Sequence, residues 1–361
     1  MTEPRVFEGL EGVLVAKTEL SEVDGQAGRL SVRGRPIETL VGELPFEAIW
    51  GLLERGEPPG AGELSQRRAQ LGQARARAYA LLEPRFAAVR AADAMSTLRS
   101  ALSTLPGSAG ASDALGMAAV ASAAWIRASQ GEQLLAPRPG LPHAQDLLRL
   151  LRGDEVSERE ARLLDAYLVT VAEHGFNASS FAARVTASTG ADLPSAVVAG
   201  VAALSGPLHG GAPGPVLDML DAVERPERAR DYVRAELGAG RRIMGMGHRV
   251  YRVRDPRAFV LERALREFQG QGTTPRLELA RAVEAAAEQE LSLKYPERAL
   301  RANVEFYTAL LLEALAVPRA AFTAIFACAR VAGYAAHYSE QRDTGRLIRP
   351  SALYVGARAE A

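Results

Sequence analysis

Two of the five histidines lie in glycine-rich segments whose composition suits a ligand site. His209 stands in SGPLHGGAPGP, and His248 stands in IMGMGHRVYRVRDPRA. Glycine permits tight turns and leaves room beside the backbone, so a ligand can approach each ring. An imidazole in such a place can serve as a hydrogen-bonding or acid–base group. Glycine-flanked histidines also cap helices, and for either loop alone both interpretations stay open.

The residues after His248 predict a helix start, with Asp255 as the N-cap and Pro256 in the first turn. A metal site is a further interpretation of the histidine pair. It is disfavoured, because the two residues are too far apart for one helix and the motifs contain no cysteine and no His-x-x-x-His pair. We therefore expect no metal.

Length and composition narrow the class of protein. A chain of 361 residues exceeds the size at which one core usually keeps growing, so two domains are expected. Lys+Arg and Asp+Glu are both 43, so the formal net charge is zero. The chain therefore has no overall positive charge that would attract nucleic acid or an anionic membrane. Cys328 is the only cysteine, and the N-terminus lacks a signal-like apolar run. We expect a cytoplasmic protein with neither a nucleic-acid nor a membrane partner.

Helical periodicity dominates the chain after Pro45. Apolar residues recur at helical spacing in FEAIWGLLERG, SEREARLLDAYLVTVAEHG and RLELARAVEAAAEQELSLK. Near the N-terminus, VLVAKTEL and RLSVRG flank the turn-prone VDGQAG, which predicts a small strand pair. Glycine and proline clusters at 136–142, 205–215 and 270–275 predict loops or hinges. The fold class is mainly α.

Read together, the two histidine loops resemble the citrate synthase family in its short bacterial form, whose hallmarks are GPLHGGA and G-x-GHRVY-x-x-x-DPR. The resemblance extends from GLEGVLVAKTELSEVDGQAGRLSVRG through EHGFNASSFAARVTAST to NVEFYTALLLEAL, ARVAGYAAHYSEQ and RLIRPSALYVG. It implies a two-domain helical fold, with residues 1–212 and 320–361 in a large domain and residues 213–319 in a small one.

The resemblance also implies condensation of acetyl-CoA with oxaloacetate, giving citrate and CoA. His209 would stabilise the enol at the thioester oxygen, and Glu305 would take the methyl proton. His248 would protonate the carbonyl oxygen of the 2-oxo acid. CoA is then a substrate, and no cofactor is expected.

Ligand-binding residues follow from the same resemblance. His174, Arg257, Arg330 and Arg349 would bind the oxo acid, because a planar guanidinium suits a carboxylate. In the family the arginine matching Arg349 reaches the partner subunit's site, which implies a homodimer. The CoA side would comprise Ile243, Met244, Gly245, Gly247, Arg252 and Asn303. Arg298 and Arg301 are weaker candidates for phosphate contacts.

Three departures from the family pattern leave alternatives open. Glu305 stands where aspartate is usual, Pro213 where asparagine is usual, and Tyr334 where tryptophan is usual. A 2-methylcitrate synthase that uses propionyl-CoA is one alternative. A catalytically weak homologue that binds citrate or CoA is another, of a different class.

Three further residues of reactive types are expected to be structural. His143 lies in a proline-rich stretch, and His337 is expected to pack within a helix. Cys328 is expected to be a buried small apolar residue, because no basic partner stands beside it.

Overall fold

The computed structural model describes residues 6–10, 12–89, 93–209, 213–270 and 274–357, and most of these residues are helical. The mainly α fold predicted from the sequence is confirmed. The α-helices, numbered along the chain, are α1 (Ile37–Leu40), α2 (Phe46–Arg55), α3 (Ala61–Leu82), α4 (Phe86–Val89), α5 (Ala94–Leu102), α6 (Ala111–Ser129), α7 (His143–Arg152), α8 (Glu158–Val171), α9 (Ala178–Ser188), α10 (Leu193–Leu204), α11 (Pro213–Val223), α12 (Ala229–Gly238), α13 (Pro256–Gln269), α14 (Pro275–Lys294), α15 (Val304–Ala314) and α16 (Phe322–Thr344). Short 3-10 helices cover Glu8–Leu10, Glu83–Arg85, Pro226–Arg228 and Arg319–Ala321.

A small antiparallel sheet precedes the helices, in the order β1 (Ser21–Asp24), β2 (Arg29–Val32) and β3 (Arg35–Pro36). The strand pair predicted from the sequence is confirmed, but the position of its first strand is corrected. That strand covers SEVD instead of VLVAKTEL. Ser21 pairs with Val32, the last residue of β2, so earlier residues have no opposing strand. Leu14 is accordingly 96% exposed.

The three helices predicted from periodicity form as expected and carry recognisable ends. Gly56 ends α2 in the left-handed conformation, with φ of 87°. Ser157 and Glu160 form a capping box at the start of α8. The loop predicted for 205–215 ends earlier than expected, because Pro213 is already the first residue of α11, a position that proline tolerates.

The main core forms around α6 and α16, which pack against each other. The side chains of α6 from Ala114 to Ala124 are buried almost without exception, and many are alanines, so neighbouring helices approach closely. At Gly116 an added Cβ would lie 2.6 Å from the backbone carbon of Ala74 on α3. None of the helices in the described ranges is long and apolar enough to span a membrane.

The helices from α11 to α15 pack largely among themselves, through the pairs α11–α15, α12–α14 and α13–α15. Both α13 and α15 also contact α8 of the preceding part of the chain. Arg257 in the first turn of α13 lies near His174, which follows α8, because its charge acts on that ring. The division into domains at 213 and 319 stays a prediction.

Candidate active site

Two chain segments, residues 243–248 and 301–303, run side by side and are called here the paired loops. Met246 and Ala302 form an antiparallel bridge. The Gly247 N–H donates to the Arg301 carbonyl at 2.7 Å, and the Asn303 side-chain amide donates to the Gly247 carbonyl at 2.9 Å. The paired loops thus fix His248 beside the first turn of α15.

The glycines of the first paired loop are needed for its shape. Gly245 and Gly247 have φ of 73° and 87°, which side chains other than glycine rarely adopt. The tight turns predicted beside His248 are therefore present. Of the glycines predicted to flank His209, Gly210 and Gly211 lie outside the described residues.

The ring of His248 is held in one orientation by two backbone groups. The N–H groups of Val250 and Tyr251 donate to its Nδ1 at 3.0 and 3.2 Å. Nδ1 is therefore an acceptor, and a neutral ring must carry its proton on Nε2. Burial, with the neighbouring Arg257 cation, lowers the pKa of His248 to about 4, so the ring is neutral at pH 7. His248 can thus donate a hydrogen bond through Nε2.

Arg257 lies beside that donor, with its Nη2 atom 3.4 Å from Nε2 of His248. The Asp255 carboxylate accepts from Arg257 Nε at 3.1 Å and from Nη2 at 2.8 Å. Asp255 also caps α13 as predicted, by accepting from the Arg257 N–H at 2.9 Å. All three groups are largely or wholly buried. Two N–H donors held this close suit a carboxylate or carbonyl oxygen.

His174 joins this cluster from the end of α8. Its Nε2 lies 3.1 Å from the Tyr251 hydroxyl, and its ring centroid lies 5.4 Å from that of His248. Burial lowers the pKa of His174 well below its ordinary value, and the charges of Arg257 and Arg330 lower it further. The ring is therefore a neutral hydrogen-bonding group.

Arg330 approaches the same cluster from α16. It is buried, its Nε donates to the Val171 carbonyl at 2.8 Å, and its guanidinium lies over the Phe326 ring. Within the described part of the chain it forms no salt bridge, and burial lowers its pKa, although the Tyr334 and Glu173 charges oppose that shift. A buried guanidinium without a carboxylate partner is suited to bind an anionic ligand.

His209 lies beyond α10, and its ring contacts α9. Its Nε2 is 2.7 Å from the Ser179 hydroxyl. That hydroxyl is also 2.7 Å from the side-chain oxygen of Asn177, the N-cap of α9. Ser179 has one hydroxyl proton, which it donates to Asn177 Oδ1 in this arrangement. When that proton turns to Nε2 instead, the neutral ring carries its own proton on Nδ1 and can donate there. Burial lowers the pKa of His209 to about 4, with a contribution from Arg330.

Glu305 occupies the first turn of α15, and its N–H donates to the side chain of the N-cap Asn303 at 3.0 Å. Burial raises the pKa of Glu305 to about 7, although the Arg257 charge opposes the shift. The carboxylate is therefore a stronger base than an exposed one.

The remaining predicted residues divide into two groups. Ile243 and Met244 belong to the paired loops and are buried or half-buried. Arg252 is exposed and donates to the Arg249 carbonyl. Arg349 is exposed beyond α16, so a single chain does not bring it into the cluster around His248.

The two weaker phosphate candidates have protein partners. Arg301 forms a 2.6 Å ion pair with Glu288, and Arg298 lies over the Tyr295 ring.

The three residues expected to be structural are buried. The His143 ring stacks on Phe46, and His337 Nε2 lies 3.2 Å from Glu173. Burial raises the pKa of the Cys328 thiol to about 12. Their burial agrees with the structural interpretation, and the absence of a catalytic role for them stays a prediction. Within the described ranges, no three His, Cys, Asp or Glu side chains are grouped so as to hold a metal ion.

Sequence reasoning missed two groups that act on the histidines, Ser179 and the Tyr251 hydroxyl. Ser179 follows the N-cap Asn177 by two residues in the same segment that carries His174. The position of Ser179 in the segment EHGFNAS, five residues after His174, could have indicated that it lies near the site. The Tyr251 contact with His174 joins residues 77 apart, and local sequence gives no sign of it.

Comparison with known proteins identifies the family to which this arrangement belongs. Residues 9–351 match the family model described as citrate synthase, C-terminal domain. The chain is 37% identical to the citrate synthase of Haloferax volcanii over 369 residues, which cover 96% of this chain and 95% of that protein. The chain is a member of the citrate synthase family.

Other members of the citrate synthase family show its range. A 2-methylcitrate synthase of Mycobacterium tuberculosis is 33% identical over 98% of this chain and 91% of its own length. A citrate synthase from Thermoplasma acidophilum, solved in a ternary complex with carboxymethyl coenzyme A and oxaloacetate, is 25% identical. Its TM-score is 0.87, and the match covers 99% of this chain and 98% of that one. The citrate synthase fold is thus shared over nearly the whole chain.

Proposed function

We propose that the protein condenses acetyl-CoA with oxaloacetate and releases citrate and CoA. The observation that carries the proposal is the pairing of a neutral His248, with its proton on Nε2, with the buried cation of Arg257 3.4 Å away. A carbonyl oxygen that gains negative charge during bond formation is stabilised by such donors, and it can take the Nε2 proton.

Enol formation is the first chemical step. The ionised Glu305 carboxylate takes a proton from the methyl group of acetyl-CoA, and the raised pKa supports this role. His209 donates through Nδ1 to the thioester oxygen once the Ser179 hydroxyl proton has turned from Asn177 Oδ1 to Nε2. A neutral imidazole suits this task, because the enol oxygen needs a hydrogen-bond donor of similar acidity.

Bond formation and release complete the reaction. The enol carbon attacks the carbonyl carbon of oxaloacetate, and the carbonyl oxygen takes the proton from His248 Nε2. The proton that Glu305 took from the methyl group then returns to His248 and restores its neutral ring. Water then hydrolyses the resulting thioester to citrate and the CoA thiol. The oxo acid would be held by His174, Arg257 and Arg330. The partner subunit's Arg349 would complete its binding site in a homodimer.

The CoA moiety would lie along the paired loops. The family resemblance places CoA beside their backbone from Ile243 to Gly247 and Asn303, where Met244, Met246 and Gly247 are half-buried. Arg252, exposed after His248, is our candidate for a phosphate contact. The solved relative with carboxymethyl coenzyme A supports a ligand of this class for the fold.

Propionyl-CoA is the second candidate acyl substrate, since a 2-methylcitrate synthase is 33% identical to this chain. One additional methyl group changes binding by only about 1–3 kcal/mol, so small differences in the acyl pocket decide the preference. A protein that binds citrate or CoA without turnover is the alternative from another class.

A paired assay tests the proposal directly. Thiol release is followed with oxaloacetate and either acetyl-CoA or propionyl-CoA at matched concentrations. We expect kcat/KM for acetyl-CoA to be at least about tenfold higher than that for propionyl-CoA, because a pocket that does not accommodate one additional methyl group discriminates on this scale. A large preference for propionyl-CoA would identify a 2-methylcitrate synthase. Calorimetric binding of ligands without oxaloacetate-dependent thiol release would favour the binding protein.

A further inference from the structure

The N-terminal hairpin, residues 21–32 with strands β1 and β2, contacts both histidine-bearing segments of the site. At one end, the Ser21 hydroxyl donates to the Glu173 carboxylate at 2.9 Å and accepts from the Gly175 N–H at 2.9 Å. These two residues flank His174. The Ser21 side chain therefore bridges the backbone and the side chain on either side of that histidine.

The other end of the hairpin reaches the segment after His248. The Gly25 carbonyl accepts from the Arg252 N–H at 2.8 Å. A Cβ at Gly25 would lie 2.2 Å from the Val250 carbonyl oxygen, so only glycine fits there without a shift. At Gly28, which has φ of 64°, a Cβ would lie 2.4 Å from the Val253 side chain.

The peptide group that touches Gly25 is the one that orients His248. The Val250 carbonyl and the Tyr251 N–H belong to the same planar peptide unit. That N–H donates to His248 Nδ1 at 3.2 Å. Pressure on the carbonyl would rotate or displace the whole unit and so move the donor that fixes the proton on Nε2.

We propose that the β1–β2 hairpin is a positioning element that aligns His174 through Ser21 and His248 through Gly25. Its two contacts are made by residues four positions apart, and they hold the two rings, whose centroids are 5.4 Å apart, in one arrangement. The inference rests on the proposed function, because it assigns both rings to the oxaloacetate side of the site.

The first test compares two serines of the same hairpin. Ser21→Ala removes the bridge beside His174, whereas Ser31→Ala on β2 removes a hydroxyl with no hydrogen bond to any described residue. We expect Ser21→Ala to raise the KM for oxaloacetate about tenfold, the effect of a hydrogen bond to a charged group, with the KM for acyl-CoA unchanged within about twofold. Ser31→Ala should change neither, and Ser21→Thr should restore the wild-type value.

The second test concerns Gly25. Gly25→Ala should lower kcat about 100-fold, because displacement of the Val250–Tyr251 peptide moves His248 by a fraction of an ångström or more. Gly60→Ala is the matched control, since Gly60 has an ordinary φ of −67° and no atom lies within 4 Å of an added Cβ. That variant should keep the wild-type kcat within about twofold.

Several outcomes would overturn the positioning role. They are equal oxaloacetate KM values for Ser21→Ala and Ser31→Ala, a parallel rise of both KM values, or a kcat for Gly25→Ala that equals that of Gly60→Ala. Thermal unfolding of each variant checks that the fold is kept. If wild-type protein releases no thiol with either acyl-CoA, the proposed function fails. Calorimetric titration of oxaloacetate into the Ser21→Ala and Ser31→Ala variants then tests the hairpin on its own.

Discussion

The charge states of three side chains define what the site can do at neutral pH. Burial and nearby arginines lower the pKa values of His209 and His248 to about 4, and burial raises that of Glu305 to about 7. The site therefore contains two neutral histidines that can donate hydrogen bonds and one basic carboxylate. This combination suits proton abstraction next to a carbonyl group, because the base and the oxygen-stabilising groups are separate.

Glu305 gives the sharpest residue-scale prediction. Only the ionised carboxylate can take a proton, so kcat/KM should fall as pH drops through about 7, by about tenfold per pH unit below it. Glu305→Gln should lower kcat about 1,000-fold or more. Glu305→Asp keeps the charge but moves it by about an ångström, and about 100-fold should be lost. Thiol release, measured over a range of pH for the wild type and for both variants, tests the pH dependence and the two losses in rate.

Glu313 supplies the control on the same helix. Its carboxylate forms a partly exposed ion pair with Arg276, and Glu313→Gln should keep kcat within about twofold. A Glu305→Gln enzyme as active as the wild type would refute the role of Glu305 as the base. A rate that stays constant between about pH 5.5 and 8 would refute its raised pKa.

Residues in local motifs were predictable, and residues defined by distant contacts were not. The loops of His209 and His248 and the segment NVEFY point to the three proposed catalytic groups. The link from Asp255 to the Val304 N–H, at 3.2 Å, joins residues 49 apart and appears only once the chain has folded. The same holds for Ser21, whose hydroxyl meets Glu173 across 152 positions.

Asp255 connects two helices at the element scale. Its side chain caps α13 and also accepts from the Val304 N–H at the start of α15. Its own N–H donates to the Ala302 carbonyl at 3.1 Å. Because Arg257 lies in the first turn of one helix and Glu305 in the first turn of the other, this one buried carboxylate helps to set the distance between two site residues.

Removal of that charge should destabilise the protein strongly. Asp255→Asn leaves the buried Arg257 cation without its partner, and we expect the free energy of unfolding to fall by about 3–5 kcal/mol. Asp192→Asn is the control, since Asp192 is half-buried and caps α10 alone. Asparagine is also a good N-cap, so that change should cost less than about 1 kcal/mol. Urea unfolding measures both, and equal losses would contradict the role of Asp255.

Helices were easier to predict than the sheet for a physical reason. Periodicity over more than ten residues and cap signals such as Ser157 with Glu160 act locally, so α2, α8 and α14 were found. The position of β1 depends on which residues face β2. The pairing of Asp24 with Arg29 sets the register between the two strands, and in this register β1 begins after Leu20.

At the scale of the whole molecule, apolar side chains are exposed near both ends of the described chain. Leu14 is 96% exposed and Val355 is 88% exposed, with Val6, Leu347 and Tyr354 also more than half exposed. Exposed apolar groups of this number favour contact with another protein surface. They support the proposed homodimer, in which the segment with Arg349 would lie against a second subunit.

Mixed dimers test whether Arg349 works in the partner's site. Arg349→Ala and His248→Ala chains, each expected to be inactive alone, are co-expressed with different tags. If Arg349 completes the other subunit's site, each mixed dimer contains one site with both residues intact. A random mixture should then recover about a quarter of the wild-type activity, because half of the dimers are mixed and each has one working site of two. If Arg349 serves its own subunit, every site lacks one residue and the mixture stays inactive. Sedimentation of the wild-type chain as a monomer would rule out the arrangement altogether.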